Sequence, residues 1–240
     1  MSKYEETLSK LKKYNEEQLL NFYSELTNNE QEELLKQIDK INFEQIEALY
    51  KHRKDAPDIN KKIENIPYIK KEKQTKEEQD LYKKIGEKII KEKKIAVCQM
   101  AGGQGTRLGH NGPKGTYIVE KINPPKSIFE IFSDKLKKAY KEYGVKIKWY
   151  VMTSNANDTE TRDFFEKNNY FDYGKENVKF FIQGELPLLN EEGKIVLKEK
   201  GTLFMAPDGN GGIYEALRKN KILEEMQNEG IDYLGICNGK

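Results

Sequence analysis

Residues 2 to about 94 carry apolar side chains at helical spacing within a background dense in Lys, Glu, Gln and Asn. The apolar positions fall into three groups: Leu8, Leu11 and Tyr14; Leu19, Leu20, Phe22 and Tyr23; and Leu34, Leu35 and Ile38. This spacing predicts short amphipathic helices with charged outer faces. Pro57, within Ala56-Pro57-Asp58, and Pro67 interrupt the pattern, since proline disfavours helix at the residue before it. A further helix is predicted over residues 77–91.

The pattern changes at Lys94, where short apolar runs begin to alternate with helical segments. Strands are predicted over residues 95–100, 145–153, 178–182 and 231–236. Helices are predicted over residues 127–143 (opened by a Ser127–Glu130 capping box), around Phe164 and Phe165, and over residues 213–228. Such alternation implies βαβ units and a mainly parallel sheet, which binds ligands beyond the carboxyl ends of its strands. We therefore predict an α/β fold, with a helical N-terminal region over residues 1–93 and a Rossmann-like core over residues 94–240.

Composition and charge narrow the classes of function. The chain has 240 residues, and 42 Lys and Arg against 40 Asp and Glu give a formal net charge of +2. Because these charges nearly cancel, the protein as a whole has no electrostatic field that would attract nucleic acid or a membrane. Two cysteines are too few for a disulfide framework or a zinc site, no apolar run reaches the ~18 residues of a membrane span, and the polar first residues lack the apolar core of a signal peptide. We expect a soluble, cytoplasmic protein with no nucleic-acid or membrane partner.

One segment combines glycines with cations directly after the first predicted strand. Residues 100–109 read Met-Ala-Gly-Gly-Gln-Gly-Thr-Arg-Leu-Gly, and Pro113-Lys114-Gly115 follows. Glycines let the backbone approach a bulky anion with its N–H groups, while Arg107 and Lys114 add charge suited to phosphate. The spacing matches neither the Rossmann fingerprint nor the Walker A loop. The alternative is a loop whose glycines serve turns alone.

This segment resembles the signature of the eukaryotic-type UDP-sugar pyrophosphorylases. The second glycine motif, Ala206-Pro207-Asp208-Gly209-Asn210-Gly211-Gly212, is similar to the sugar-side loop of their N-acetylhexosamine branch, the UDP-N-acetylglucosamine pyrophosphorylases. The glucose-specific branch typically has a histidine at the position of Asn210. Residues 149–154 and 180–184 are also similar to the family, in the same order. The resemblance implies a nucleotidyltransferase core of glycosyltransferase-A type behind a helical N-terminal region.

The resemblance also implies roles for individual residues. The nucleotide-binding residues would be Met100, Ala101, Gly102, Gly103, Gln183 and Gly209. Arg107 and Lys114 would be catalytic, because they would neutralise the triphosphate, and Asn210 would bind the sugar. A carboxamide such as that of Gln183 can present both a donor and an acceptor to uracil. On the residues alone, an ordinary loop glutamine is the favoured interpretation of Gln183, and Asn210 could equally be a turn residue in left-handed geometry.

The implied reaction joins UTP and N-acetylglucosamine-1-phosphate into UDP-N-acetylglucosamine and pyrophosphate, with Mg²⁺ as cofactor. In the family, a metal-binding aspartate follows the strand that matches residues 231–236, and here that position falls at about Gly239-Lys240, where no carboxylate occurs. The chain is therefore expected to be a truncated, N-terminal half of a family member, with an unpaired apolar sheet edge. Three alternatives stay open: a catalytically impaired nucleotide-binding fragment, a UTP-glucose-1-phosphate uridylyltransferase, and a lysine-rich RNA-binding module.

Overall fold

The structure, a computed structural model, describes residues 2–55 and 64–238, apart from the side chain of Asn210. Two features of the sequence analysis lie outside the described residues: the interruption at residues 56–58, and the position at residues 239–240 where no carboxylate occurs. The helices are α1 (Lys3–Tyr14), α2 (Asn28–Asp39), α3 (Phe43–His52), α4 (Lys76–Lys91), α5 (Ile128–Tyr143), α6 (Asp158–Lys167), α7 (Ile213–Lys219) and α8 (Ile222–Asn228). The strands are β1 (Ile95–Met100), β2 (Ile118–Val119), β3 (Lys126–Ser127), β4 (Lys148–Thr153), β5 (Val178–Ile182), β6 (Glu185–Pro187), β7 (Leu197–Glu199), β8 (Thr202–Leu203), β9 (Met205–Pro207) and β10 (Tyr233–Asn238).

The chain divides into two compact units. One, called here the helical unit, comprises Met1–Pro67 and Glu185–Ala206; the other, the sheet unit, comprises Tyr68–Gly184 and Pro207–Lys240. These units differ from the predicted division between residues 93 and 94, which stays a prediction about domain organisation. The difference has a physical cause in each unit: Ile195 and Leu203 belong to the helical core, while Ile90 of α4 packs against a core cluster of the sheet unit.

The helical unit contains α1, α2 and α3. The predicted apolar groups around Leu11 and Leu34 lie in α1 and α2, whereas the group from Leu19 to Tyr23 lies at two short 3-10 turns, Glu17–Leu20 and Tyr23–Glu25, and not in an α-helix. Ser2 and Thr27 each open a helix with a complete capping box, in which the side chain accepts an N–H bond and a glutamate three residues on reaches back. Each such cap contributes about 1 kcal/mol to helix stability. The apolar faces of these helices, including the fully buried Leu11 and Leu34, form one core cluster. Residues 191–194 form the connection between Leu189 and Ile195, which form an antiparallel bridge.

The sheet unit contains a four-stranded sheet in the order β10-β1-β4-β5, and all three pairings are parallel. One face packs on α7 and α8 through a cluster that includes Tyr150 and Leu217. The other face packs on α5 and α6 through a cluster that includes Trp149 and Phe165. This arrangement confirms the predicted α/β fold with a mainly parallel sheet and N-terminal helices. Within the described residues β10 pairs only with β1 and so forms one edge of the sheet.

Two helical predictions have different outcomes. Ser127 caps α5 by accepting the Glu130 N–H at 3.0 Å, which is one half of the predicted capping box, and Gly144 ends this helix in left-handed geometry at φ 72°. The single helix predicted over residues 213–228 is wrong, because Lys221 adopts a left-handed conformation at φ 57° and separates α7 from α8. Within the part of the chain that the structure describes, no helix has both the length and the apolar character that crossing a bilayer requires.

Candidate functional site

A cavity of about 480 Å³ opens at the carboxyl ends of the parallel strands. Met100 to Gly103 line it after β1, Met152 lies at the end of β4, and Gln183 follows β5 directly. Asn238, the last residue of β10, completes this side of the lining. The cavity therefore lies where ligands bind in sheets of this kind.

The cavity lining is positive. Arg107 and Lys114 both belong to it, and no carboxylate occurs among its lining residues in the described chain. The predicted nucleotide-binding residues Met100 to Gly103 and Gln183 line the same cavity as these two cations. Such a lining suits a polyanionic ligand, because each charge-assisted hydrogen bond contributes roughly 1.5–3 kcal/mol.

The first glycine segment folds back on itself, and this brings Lys114 to the cavity. The Lys114 N–H donates to the Gly103 carbonyl at 3.0 Å, and the Gly105 N–H donates to the Gly112 carbonyl at 2.9 Å. Gly115 packs against the ring of Phe129, which is fully buried at the start of α5, so closely that a β-carbon at residue 115 would overlap the ring. The glycine after Lys114 thus allows the loop to reach its place against α5.

His110 forms a hydrogen bond with Thr116 at the end of this loop. Its Nε2 lies 2.7 Å from the hydroxyl of Thr116. That hydroxyl donates its own hydrogen to the Pro113 carbonyl at 2.8 Å, so Nε2 carries the hydrogen of the bond between His110 and Thr116. No role for His110 follows from the sequence; in the structure this residue makes the hydrogen bond to Thr116.

Gln183 and Gly102 both line the cavity and are in direct contact with each other. A β-carbon built on Gly102 would lie 2.7 Å from Cδ and Nε2 of Gln183 and 2.8 Å from its Oε1. The Gln183 N–H donates to the Thr153 carbonyl at 2.9 Å, which continues the pairing of β5 with β4 by one residue. The Gln183 carboxamide is therefore held beside the glycine loop, and glycine at position 102 makes the room for it.

The second glycine motif is fixed to the end of β5 through Asp208. The Asp208 N–H donates to the Gly184 carbonyl at 3.1 Å, and its carboxylate lies so close to Gly184 and Gly212 that a β-carbon on either would overlap it. Gly209 follows with φ 79°, a left-handed conformation that favours glycine. The backbone of Asn210 lies in the short 3-10 turn before α7, whereas its side chain is outside the described structure.

Two further residues of the site, Asn157 and Asp208, have no role assigned from the sequence. Asn157 is 1% exposed and contacts the first glycine loop, and one carboxylate oxygen of Asp208 is buried without a hydrogen-bond partner in the described structure. Cys98 on β1 is fully buried, and this burial raises the pKa of its thiol to about 12. Among the described residues no group of three or more His, Cys, Asp or Glu side chains could hold a metal ion.

Comparison with known proteins gives a consistent result. Residues 40–240 match the sequence model of the family described as UTP–glucose-1-phosphate uridylyltransferase. The chain is 33% identical to UDP-N-acetylglucosamine diphosphorylase 2 of Arabidopsis thaliana, with 97% of this chain and 49% of that protein covered. It is 34% identical to the UDP-N-acetylglucosamine pyrophosphorylase of Saccharomyces cerevisiae, with 90% of this chain and 49% of that protein covered.

A solved structure agrees in fold over the whole chain. The uridine diphosphate N-acetylglucosamine pyrophosphorylase of Trypanosoma brucei, crystallised with an inhibitor, is 27% identical and has a TM-score of 0.73. That match covers 100% of this chain and 51% of the other. The chain thus spans about half the length of the curated relatives it matches.

Proposed function

Since the chain belongs to the UTP–glucose-1-phosphate uridylyltransferase family, we propose that it forms the nucleotide-binding part of a uridylyltransferase. The proposed reaction makes UDP-N-acetylglucosamine and pyrophosphate from UTP and N-acetylglucosamine-1-phosphate. One observation carries the proposal: Arg107, Lys114 and the Gln183 carboxamide line a single cavity at the carboxyl end of the sheet. The N-acetylglucosamine side rests on the similarity to the Arabidopsis and yeast proteins.

The phosphate end of the proposed ligand lies along the glycine loop. The N–H groups of Gly102, Gly103 and Gln104 donate no hydrogen bond to any other residue of the described chain. They are therefore available to phosphate oxygens, in the manner of a backbone anion site. Arg107 adds a planar fork of donors and Lys114 adds a mobile point charge, and the two together offset the negative charge of a triphosphate.

The base end of the proposed ligand lies at Gln183. Uracil offers one N–H donor flanked by two carbonyl acceptors, and a carboxamide can meet one donor and one acceptor of that edge at once. The proposal gives Gly209 a backbone contact with the same base and gives Asn210 the contact with the sugar. The hydrogen bond from Asp208 to Gly184 supports this grouping, because it ties the second glycine motif to the strand end that carries Gln183.

The proposed chemistry is a displacement at phosphorus. An oxygen of the sugar phosphate attacks the α-phosphorus of UTP, a new P–O bond forms, and the bond to the β-phosphate oxygen breaks as pyrophosphate leaves. A transfer of this kind needs alignment and charge stabilisation more than proton transfer. Arg107 and Lys114 would provide the charge stabilisation, and the glycine loop would align the α-phosphate.

Mg²⁺ belongs to the proposal as an ion that arrives with the nucleotide phosphates. When bound, it would neutralise phosphate charge, and proteins hold it through one or two carboxylates together with those phosphates. The described lining of this cavity does not fit that role, because its polar side chains are cationic or neutral and none is a carboxylate. The proposal therefore includes no ligand for the ion among the lining residues of this cavity.

Calorimetric titration of the chain with UTP and with CTP tests the nucleotide site. We expect UTP to bind about tenfold or more tightly than CTP, because cytosine reverses the donor and the acceptor of this edge, so the carboxamide has to turn over to pair with it. The preference should disappear in Gln183→Ala, and a preference that survives this change would remove Gln183 from base recognition. Absence of binding by either nucleotide would overturn the proposal.

A second assay separates binding from turnover. Pyrophosphate release is measured with UTP, Mg²⁺ and either N-acetylglucosamine-1-phosphate or glucose-1-phosphate. Turnover with the first sugar supports the proposed reaction, and preference for the second supports the glucose-specific alternative. Binding of UTP without turnover of either sugar supports the alternative of a nucleotide-binding fragment.

A further inference from the structure

Asn157 connects the turn after β4 with the first glycine loop. It immediately precedes α6 and is 1% exposed. Its Nδ2 donates to the carbonyl of Ala101 at 2.9 Å and to that of Gly103 at 3.3 Å. We propose that Asn157 is a positioning residue, which sets the direction of the loop peptides so that their N–H groups face the phosphates of the ligand.

The orientation of the Asn157 carboxamide is determined by its own partners. Its Oδ1 accepts the backbone N–H of Ser154 at 2.9 Å and the Ser154 hydroxyl at 3.0 Å. Both groups are donors, so this end of the amide must be the oxygen and the opposite end the nitrogen. The two N–H groups of Nδ2 are consequently directed at the carbonyls of the glycine loop.

The geometry of the peptide bond carries this direction to the cavity. In a trans peptide the C=O and N–H bonds point in opposite directions. Because the Ala101 carbonyl faces Asn157, the N–H of Gly102 points to the other side of the loop. The Gly103 carbonyl accepts from the Lys114 N–H as well as from Asn157, and the N–H of Gln104 likewise points away from Asn157. Gly102 and Gln104 both line the cavity, and within the described residues their N–H groups donate to no other atom. Asn157 thus acts on the ligand through two backbone N–H groups and does not touch it.

The Asn157 side chain does not cap α6, although the residue lies at the N-cap position of this helix. Asparagine is a preferred residue at the start of a helix, where its side chain accepts a free N–H of the first turn. Asn157 stands in that position before α6 and makes no such bond. Its oxygen is turned back to Ser154 and its nitrogen to the glycine loop, which a helix cap alone would not require.

This inference rests on the proposed function for its ligand, and it makes a specific statement about that ligand. Asn157 supports the phosphate end through the loop N–H groups, whereas the base end depends on Gln183. Loss of Asn157 should therefore weaken binding of UTP and leave binding of uridine, which has no phosphate, unchanged. A residue that merely stabilises the fold would weaken both alike.

The test compares Asn157→Asp with the matched control Asn168→Asp. Asn168 is exposed at the other end of α6, where its amide donates to the Phe164 carbonyl. In Asn157→Asp a carboxylate oxygen faces two carbonyl oxygens, so the loop peptides must turn. We expect UTP affinity to fall about tenfold or more, as the loss of two backbone contacts implies, and uridine affinity measured by NMR titration to stay within about twofold. The control should bind both ligands as the unmodified chain does.

A second measurement needs no ligand. The amide resonances of Gly102 and Gln104 should move in Asn157→Asp and stay in place in Asn168→Asp. Should the carboxylate prevent folding, Asn157→Ala removes the two bonds without adding charge and gives the same comparison. Unchanged amide resonances in a folded variant, or equal losses for UTP and uridine, would overturn the inference. If the unmodified chain binds no UTP but the resonances move, the proposed function fails while the positioning by Asn157 stands.

Discussion

The carboxamide of Gln183 lies directly against the α-carbon of Gly102, in space that any side chain at position 102 would occupy. Gln183 follows β5 and Gly102 follows β1. The two residues meet because β1, β4 and β5 are parallel, so that the carboxyl ends of all three lie on the same side of the sheet. The contact places a group able to read a base beside a backbone able to bind phosphate. The glycine is thus needed for the position of the glutamine as well as for the freedom of the loop.

Gly102→Ala should impair base recognition and leave the stability of the fold almost unchanged. The atoms that a β-carbon would meet are the far end of the flexible Gln183 side chain, so the carboxamide can move away at little cost to the fold. We expect the free energy of unfolding to change by no more than about 0.5 kcal/mol. The preference for UTP over CTP should disappear, as calorimetry with both nucleotides would show.

Gly86→Ala is the matched control for this change. Gly86 lies within α4, and a β-carbon there would meet nothing within 4 Å. Alanine should stabilise that helix by up to about 1 kcal/mol and leave the ratio of the two affinities as it is. If Gly102→Ala retains the full preference for UTP, the contact with Gln183 plays no part in base recognition.

Lys114→Ala should weaken nucleotide binding through the phosphates. Removal of one charge-assisted contact predicts a loss of roughly 1.5–3 kcal/mol, which is about ten- to a hundredfold in affinity. The loss should be greatest at low salt, since screening weakens the same interaction in the unmodified chain. Titration with UTP at two salt concentrations measures both effects.

Lys167→Ala removes a lysine of equal charge from the exposed end of α6. This variant should bind UTP as the unmodified chain does at either salt concentration. A Lys114→Ala variant with unchanged affinity would exclude Lys114 from the site, and equal losses in the two variants would point to net charge rather than to a specific contact.

Elements with sharp local boundaries are predictable from this sequence. β1 and β5 have the predicted bounds because each is a short apolar run that ends at a polar or glycine-containing turn. The division between α7 and α8 was missed, since apolar spacing continues across it and both helices bury residues in one cluster, among them Leu217 and Ile222. The break arises from the left-handed Lys221, with Asn220 beside it donating to the Ile182 carbonyl, and neither glycine nor proline marks the place.

The candidate site likewise has one part that the sequence predicts and another that it does not. The glycine loop with Arg107 and Lys114 is a continuous motif, so its chemistry is evident before any fold is known. The roles of Asn157 and Asp208 depend on partners that are distant in the chain: Asn157 bonds a carbonyl 56 residues before it. In sequence terms Asn157 is one more polar residue before a helix, and only the pairing of β4 with β1 brings it to the loop.

Gly212→Ala should destabilise the protein only while Asp208 is present. The backbone of Gly212 is helical, at φ −65° and ψ −12°, so alanine suits the local conformation. Its β-carbon would nevertheless overlap the Asp208 carboxylate, and overpacking of this kind costs roughly 1–3 kcal/mol. In an Asp208→Ala background most of this cost should disappear, because the β-carbon then meets no carboxylate.

Urea denaturation of the four chains in this double-mutant cycle measures the coupling. Gly211→Ala serves as control, since a β-carbon on Gly211 meets nothing within 4 Å. Equal costs for Gly212→Ala with and without Asp208 would show that the carboxylate does not determine the need for glycine at this position.

Glu16→Gln should change how the stability of the helical unit depends on pH. Glu16 is 5% exposed, and burial raises the pKa of its carboxyl above the ordinary value, although hydrogen bonds from Gln18 and the Ile195 N–H act in the opposite direction. The folded state therefore holds this proton more tightly than the unfolded state does. Stability from this group is complete below the unfolded pKa of about 4.5 and falls as pH rises through the folded value.

Glutamine keeps the acceptor for the Ile195 N–H, which lies 3.1 Å from Glu16 Oε2, and it does not ionise. We expect Glu16→Gln to match the unmodified chain at pH 4 and to exceed its stability increasingly as pH rises, until the difference levels off above the folded pKa. Glu47→Gln removes the same charge from an exposed position in α3 and should follow the pH profile of the unmodified chain. Urea denaturation between pH 4 and pH 8 tests this, and a Glu16→Gln variant that loses stability as pH rises would mean that the carboxylate is favoured in its buried position, because its hydrogen bonds and the nearby Lys194 then outweigh desolvation.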